Sequence, residues 1–128
     1  MAKQTHIVLI DDDQDACDLL KMQLEGTGRM NVTYSTSSED ALAVISRELP
    51  DIAILDINMP GTHGVALHSI LAADTTTSSI PILYLSGMVT PDEAENMAKG
   101  ENTPSIVSKG SPIEILIGAI DNLTSPKF

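Results

Sequence analysis

The chain has 128 residues, which fits one domain with one core, and its 42% hydrophobic content is ordinary for a soluble globular protein. A formal net charge of −11 argues against direct nucleic-acid binding, which needs a basic face, although acidity also simply aids solubility. No apolar run reaches the roughly 20 residues of a membrane span, and the single cysteine, Cys17, leaves no internal disulfide framework, so a reducing cytoplasm is the expected setting.

His6 to Ile10 reads as the first strand, and its apolar run enters three aspartates rather than a signal-cleavage site. Ala16, Leu19, Leu20 and Leu24 then space a helix that stops near Gly26 or Gly28. Asn31 to Ser35 is the second strand. Thr36 with Glu39 forms a capping-box candidate leading into Ala41, Leu42, Ile45 and Leu49. Asp51 to Leu55 is a nearly continuous apolar strand, followed after Gly64 by a helix with Leu67, Ile70 and Leu71 as its apolar face. Ile80 to Leu85 is the fourth strand, with Pro81 at its start, where a missing N–H is tolerated. Thr90, Pro91 and Glu93 sign a helix running through about Lys99, with Gly100 as its stop. Pro104 to Ser108 is the fifth strand. Ser111, Pro112 and Glu114 open the last helix, whose Ile113, Leu116, Ile117, Ile120 and Leu123 share one face.

Strands that alternate with helices imply a parallel sheet with right-handed crossovers. The fold class is therefore α/β, a single (βα)5 doubly wound sheet over residues 1–128, with about 124–128 as a short tail or the start of a linker. The expected strand order is the flavodoxin-like 2-1-3-4-5, with the working crevice beyond the carboxyl ends of the strands.

Four strands end in useful polar side chains: Asp11, Asp12 and Asp13 after the first, Asp56 after the third, Ser86 after the fourth and Lys109 after the fifth. The first and third strands are neighbours in this order, so their carboxylates crowd together and repel unless a cation compensates. Mg²⁺ suits such hard oxygen ligands, and Lys109 offers a compact positive charge from the other side. A carboxylate so placed is a nucleophile for phosphoryl groups. Asp13 reads as a helix N-cap or a solvated charge, not a ligand. His6, His63 and His68 have no metal-ligand spacing, Cys17 reads as packing, and the methionines read as core filler.

Ile10-Asp11-Asp12, Leu55-Asp56-Ile57-Asn58-Met59-Pro60-Gly61, Ser86-Gly87 and Lys109, with Gly64 after the third-strand loop, resemble the receiver domain of bacterial two-component response regulators nearly end to end. The resemblance implies that Asp56 is the phosphoacceptor, served by a phosphohistidine on a histidine kinase or phosphotransfer protein. It implies Mg²⁺ on Asp12, Asp56 and the Asn58 backbone carbonyl, with Asp11 acting mainly through water. Lys109 would contact the phosphoryl group, Ser86 would swing to it, and Asn58 and Met88 would tune dephosphorylation. The expected protein is a monomer or weak homodimer acting on a downstream protein; its charge, apolar runs and single cysteine lead to the expectation of a cytoplasmic setting with no direct contact to nucleic acid or membrane.

Three departures fall on the output side. Gly110 replaces the usual proline after the lysine, so that loop is expected to be more mobile; Ile106 replaces the usual aromatic; and Gly100 to Thr103 lacks the usual Gly-Ala turn. No output domain follows within the sequence, which leaves open a stand-alone regulator or a receiver cut from a longer protein. Two alternatives stand beside the phosphoacceptor reading. One is a pseudo-receiver that is never phosphorylated. The other is a Mg²⁺-dependent aspartyl phosphatase of the haloacid-dehalogenase kind, against which Asn58 stands where a second aspartate would be the general acid.

Overall fold

Five parallel strands form the frame: β1 (Thr5–Ile10), β2 (Met30–Ser35), β3 (Ile52–Asp56), β4 (Ile82–Ser86) and β5 (Ser105–Ser108). The computed structural model describes residues 4–57, 64–87, 90, 92–93 and 105–124, the side chains of 64–68 excepted. The sheet order is β2-β1-β3-β4-β5, the order expected from the sequence. The helices described are α1 (Gln14–Glu25), α2 (Ala41–Glu48), α3 (Gly64–Ala73) and α4 (Ile113–Thr124).

The strands alternate their side chains between two cores, as the two-residue strand period requires. On one face Ile7, Leu9, Ile54, Leu83 and Leu85 pack with Cys17 and Leu24 of α1 and Leu116 and Ile120 of α4. On the other, Val8, Ile10, Ala53, Leu55 and Tyr84 pack with Ala41 and Ile45 of α2 and Leu71 of α3. β3 lies in the middle and is buried along its whole length, which explains its unbroken apolar run.

Several local expectations shift. β4 begins at Ile82, because the Ile80 N–H closes a turn onto the Thr77 carbonyl at 3.0 Å. The buried Thr77 hydroxyl donates to the Leu71 carbonyl at 2.6 Å and so caps the end of α3. α2 starts at Ala41 with Asp40 as its N-cap residue, so Thr36 and Glu39 stand too early to cap it. Leu49 is not on the buried face: it is the C-cap of α2, at φ 45° and 58% exposed. Pro50 follows, and the residue before a proline is pushed out of the right-handed helical region. Leu19 and Ile70, placed on apolar helix faces by periodicity, are also largely exposed.

The start signal at Thr90 is realised as a reciprocal pair. The Thr90 N–H donates to Glu93 Oε1 at 3.0 Å, and the Glu93 N–H donates to Thr90 Oγ1 at 3.1 Å. The body of that helix, its Gly100 stop and the Gly100–Thr103 stretch lie outside the described residues.

Candidate functional site

The three consecutive aspartates after β1 divide their work. Asp11 is fully buried, and its Oδ1 accepts the Asp13 N–H at 3.0 Å. Asp12 is exposed. Asp13 is the N-cap of α1, accepting the N–H groups of Asp15 at 3.0 Å and Ala16 at 3.2 Å. The parallel register sets Ile10 opposite Leu55. Asp11 therefore leaves β1 beside Asp56, the last residue of β3, which is 5% exposed.

Carboxylate oxygens of Asp11, Asp12 and Asp56 all lie within 4.8 Å of one another. Lys109, just past β5, reaches back across the carboxyl edge of the sheet. Its Nζ lies 2.7 Å from Asp11 Oδ2 and 3.4 Å from Asp56 Oδ2. The contact with Asp11 is the shorter of the two and engages a fully buried carboxylate. Burial by itself would lower the Lys109 pKa, but the two carboxylates outweigh it and hold the ammonium above its ordinary value. Three clustered hard-oxygen donors, two of them on buried residues, fit a divalent cation such as Mg²⁺.

Ser86 ends β4 at 3% exposure, and its carbonyl accepts the Lys109 N–H at 2.9 Å. Asn58 and Met88 lie outside the described residues, as does His63; so does the side chain of His68. Ile106 pairs in register with Tyr84 of β4 and packs against the α2–α3 core. The buried ring of this region is thus Tyr84, one strand further in.

Cys17 is buried in the opposite core, and its thiol donates to the Asp11 carbonyl at 3.3 Å. Burial, with the Asp11 charge second, pushes that thiol up to about 12, which suits packing and not chemistry. An apolar groove of about 370 Å³ runs between α1 and α4, lined by Leu19, Leu20, Leu85 and Leu116, with Lys109 on its wall.

Two features escaped the sequence reading. Ser108 is buried and holds the loop beyond Lys109; a serine before a strand-end lysine gives no pattern that would mark it. His6, at the opposite end of β1, joins three elements: its Nδ1 faces Asn31 Oδ1, its Nε2 lies 3.3 Å from Glu48 Oε1, and its N–H donates to Asp51 Oδ2 at 2.8 Å.

The family model described as the response regulator receiver domain matches residues 7–121. An uncharacterised 14.6 kDa protein of Leptolyngbya boryana is 26% identical over 113 residues, covering 88% of this chain and 86% of that one. The response regulator SaeR of Staphylococcus aureus is 33% identical over 82 residues, 64% of this chain, and the match spans only 34% of SaeR. Among solved structures, the N-terminal domain of a response regulator receiver protein from Methanoculleus marisnigri aligns over 96% of this chain and 98% of its own, with 25% identity and a TM-score of 0.69. The chemotaxis response regulator CheY4 of Vibrio cholerae shares the fold at 17% identity, with a TM-score of 0.76, over 94% of this chain and 99% of its own.

Proposed function

This chain belongs to the response regulator receiver domain family, and from that premise we propose that it is a phosphoacceptor switch working through Asp56. The observation that carries the reading is the placement of Lys109 Nζ between Asp11 and Asp56, within one cluster of three carboxylates.

An Asp56 carboxylate oxygen attacks the phosphorus of a phosphohistidine on a histidine kinase or phosphotransfer protein. The new O–P bond forms as the P–N bond breaks, and the electron pair stays on the imidazole nitrogen of the donor. Asp11, Asp12, Asp56 and the Asn58 carbonyl would hold Mg²⁺, which when bound supplies charge neutralisation at the phosphoryl oxygens. Lys109 is already on Asp56 and moves its charge onto the incoming phosphoryl oxygens. The Ser86 hydroxyl donates to one of those oxygens. The dianionic group then biases a two-state rearrangement that changes which protein partner binds. The apolar groove between α1 and α4 opens beside Lys109, where apolar contacts with the donor protein would bring its phosphohistidine within reach.

Intact mass after incubation with Mg²⁺ and acetyl phosphate tests the reading. A phosphoryl adduct is expected on the wild type and not on Asp56→Asn. No adduct on the wild type would favour the pseudo-receiver alternative, and an equal adduct on the variant would move the acceptor elsewhere.

A further inference from the structure

Lys109 has its ammonium on two buried carboxylates and its backbone in an exposed loop, so something must fix the loop for the side chain to aim. On its N-terminal side the Lys109 N–H donates to the Ser86 carbonyl at 2.9 Å, which continues the β4–β5 ladder by one residue. On its C-terminal side the bonds converge on one residue, Ser108. The Gly110 N–H donates to the Ser108 hydroxyl oxygen at 3.1 Å, and the Ser111 N–H donates to the Ser108 carbonyl at 3.0 Å. This is a serine turn closed by the side chain, in which a hydroxyl satisfies a backbone N–H two residues on. Ser108 is 3% exposed, and its backbone is paired in register with Ser86 at the end of the sheet. The donor is a backbone N–H, which a proline at position 110 would lack.

We propose that Ser108 is a positioning residue for Lys109: its buried hydroxyl, by accepting the Gly110 N–H, clips the turn that keeps the lysine ammonium on Asp11 and Asp56. The clip itself is independent of what the site does; its consequence for phosphoryl transfer rests on the function proposed above. Ser108→Ala removes the acceptor and leaves the strand apolar and small, whereas Ser108→Thr keeps the hydroxyl. One net hydrogen bond corresponds to roughly a fivefold change in an equilibrium.

Three measurements on the full chain decide it: hydrogen exchange of the Gly110 amide, the NMR shift of the Lys109 ε-methylene, and the rate of adduct formation on Asp56 with acetyl phosphate and Mg²⁺. Ser108→Ala is expected to speed Gly110 exchange about fivefold, to move the Lys109 signal toward that of a free lysine, and to slow adduct formation by about the same factor. Ser108→Thr is expected to restore all three. A purely structural role would lower the unfolding midpoint while leaving the Lys109 shift in place, and that result overturns the proposal. So does a Ser108→Thr chain that behaves like Ser108→Ala. If the wild type forms no adduct, the function proposed above fails by itself, and the Gly110 exchange and Lys109 shift still judge the clip.

Discussion

Replacing Lys109 with methionine removes the cation from the carboxylate cluster while keeping most of the side-chain volume. Its Nζ sits 2.7 Å and 3.4 Å from oxygens of Asp11 and Asp56, which are 0% and 5% exposed. At an effective dielectric of ~20, each contact is worth roughly 5 kcal/mol of Coulomb attraction. Desolvation of the buried partners cancels most of that. What remains when one partner is removed is the cost of an uncompensated buried carboxylate, about 3–5 kcal/mol. The Lys109 side chain is 28% exposed, so water screens part of the interaction and the lower end, about 3 kcal/mol, is expected. Urea unfolding in EDTA measures it. Adding Mg²⁺ should return more stability to Lys109→Met than to the wild type, because the metal would replace the missing charge. The Lys109 pKa lies above its ordinary 10.5, so its contribution is complete below that value and is lost only as pH rises through the higher folded-state pKa. The destabilisation should therefore be the same at pH 6 and pH 9. Unfolding free energies of variant and wild type that agree to within about 0.5 kcal/mol would rule out this role for Lys109, because a buried, unpaired Asp11 cannot be that cheap.

Leu49→Gly should stabilise the chain by about 1 kcal/mol in urea unfolding, because a leucine at φ 45° is strained and the side chain is exposed. The Asp121 carboxyl is held below its ordinary 3.8 by hydrogen bonding to Arg29, so this pair supports the fold above that pH and its support fades as pH falls through the lower folded-state value. Asp121→Asn should accordingly flatten the acid limb of the stability–pH curve, with little change in its slope above pH 5. Cys17 should resist iodoacetamide at neutral pH until the chain unfolds, given its burial and a thiol pushed up to about 12; labelling of the native protein faster than its unfolding rate would contradict that.

The parts of the site that were legible in the sequence are those governed by local backbone geometry. A buried central strand must be apolar along its length, so the switch from Ile52-Ala53-Ile54-Leu55 to Asp56 marked its carboxyl end, and the two-residue period then fixed which core each neighbour entered. The short chain and alternating elements left the 2-1-3-4-5 order as the natural arrangement, and that order placed Asp11 beside Asp56. Asp13 announced itself as a cap because capping depends on residues only two or three positions away.

Tertiary structure decided what depends on packing, on loop closure and on partners distant in sequence. Periodicity marks an apolar stripe but not its covered width, so Leu19, Leu49 and Ile70 looked like core and are exposed. Ile80 was apolar enough for a strand, yet the turn built on Thr77 claimed its N–H. The lysine was readable as a counter-charge, but only the packed sheet shows its ammonium closer to Asp11 than to Asp56, and only the packed loop shows Gly110 bonded to Ser108. The sequence determined which chemical groups stand at the strand ends, since that follows from short-range sterics and burial. Which of them touch was settled by the folded sheet, because contacts between groups about fifty or more residues apart depend on the twist, register and loop bonds of the whole.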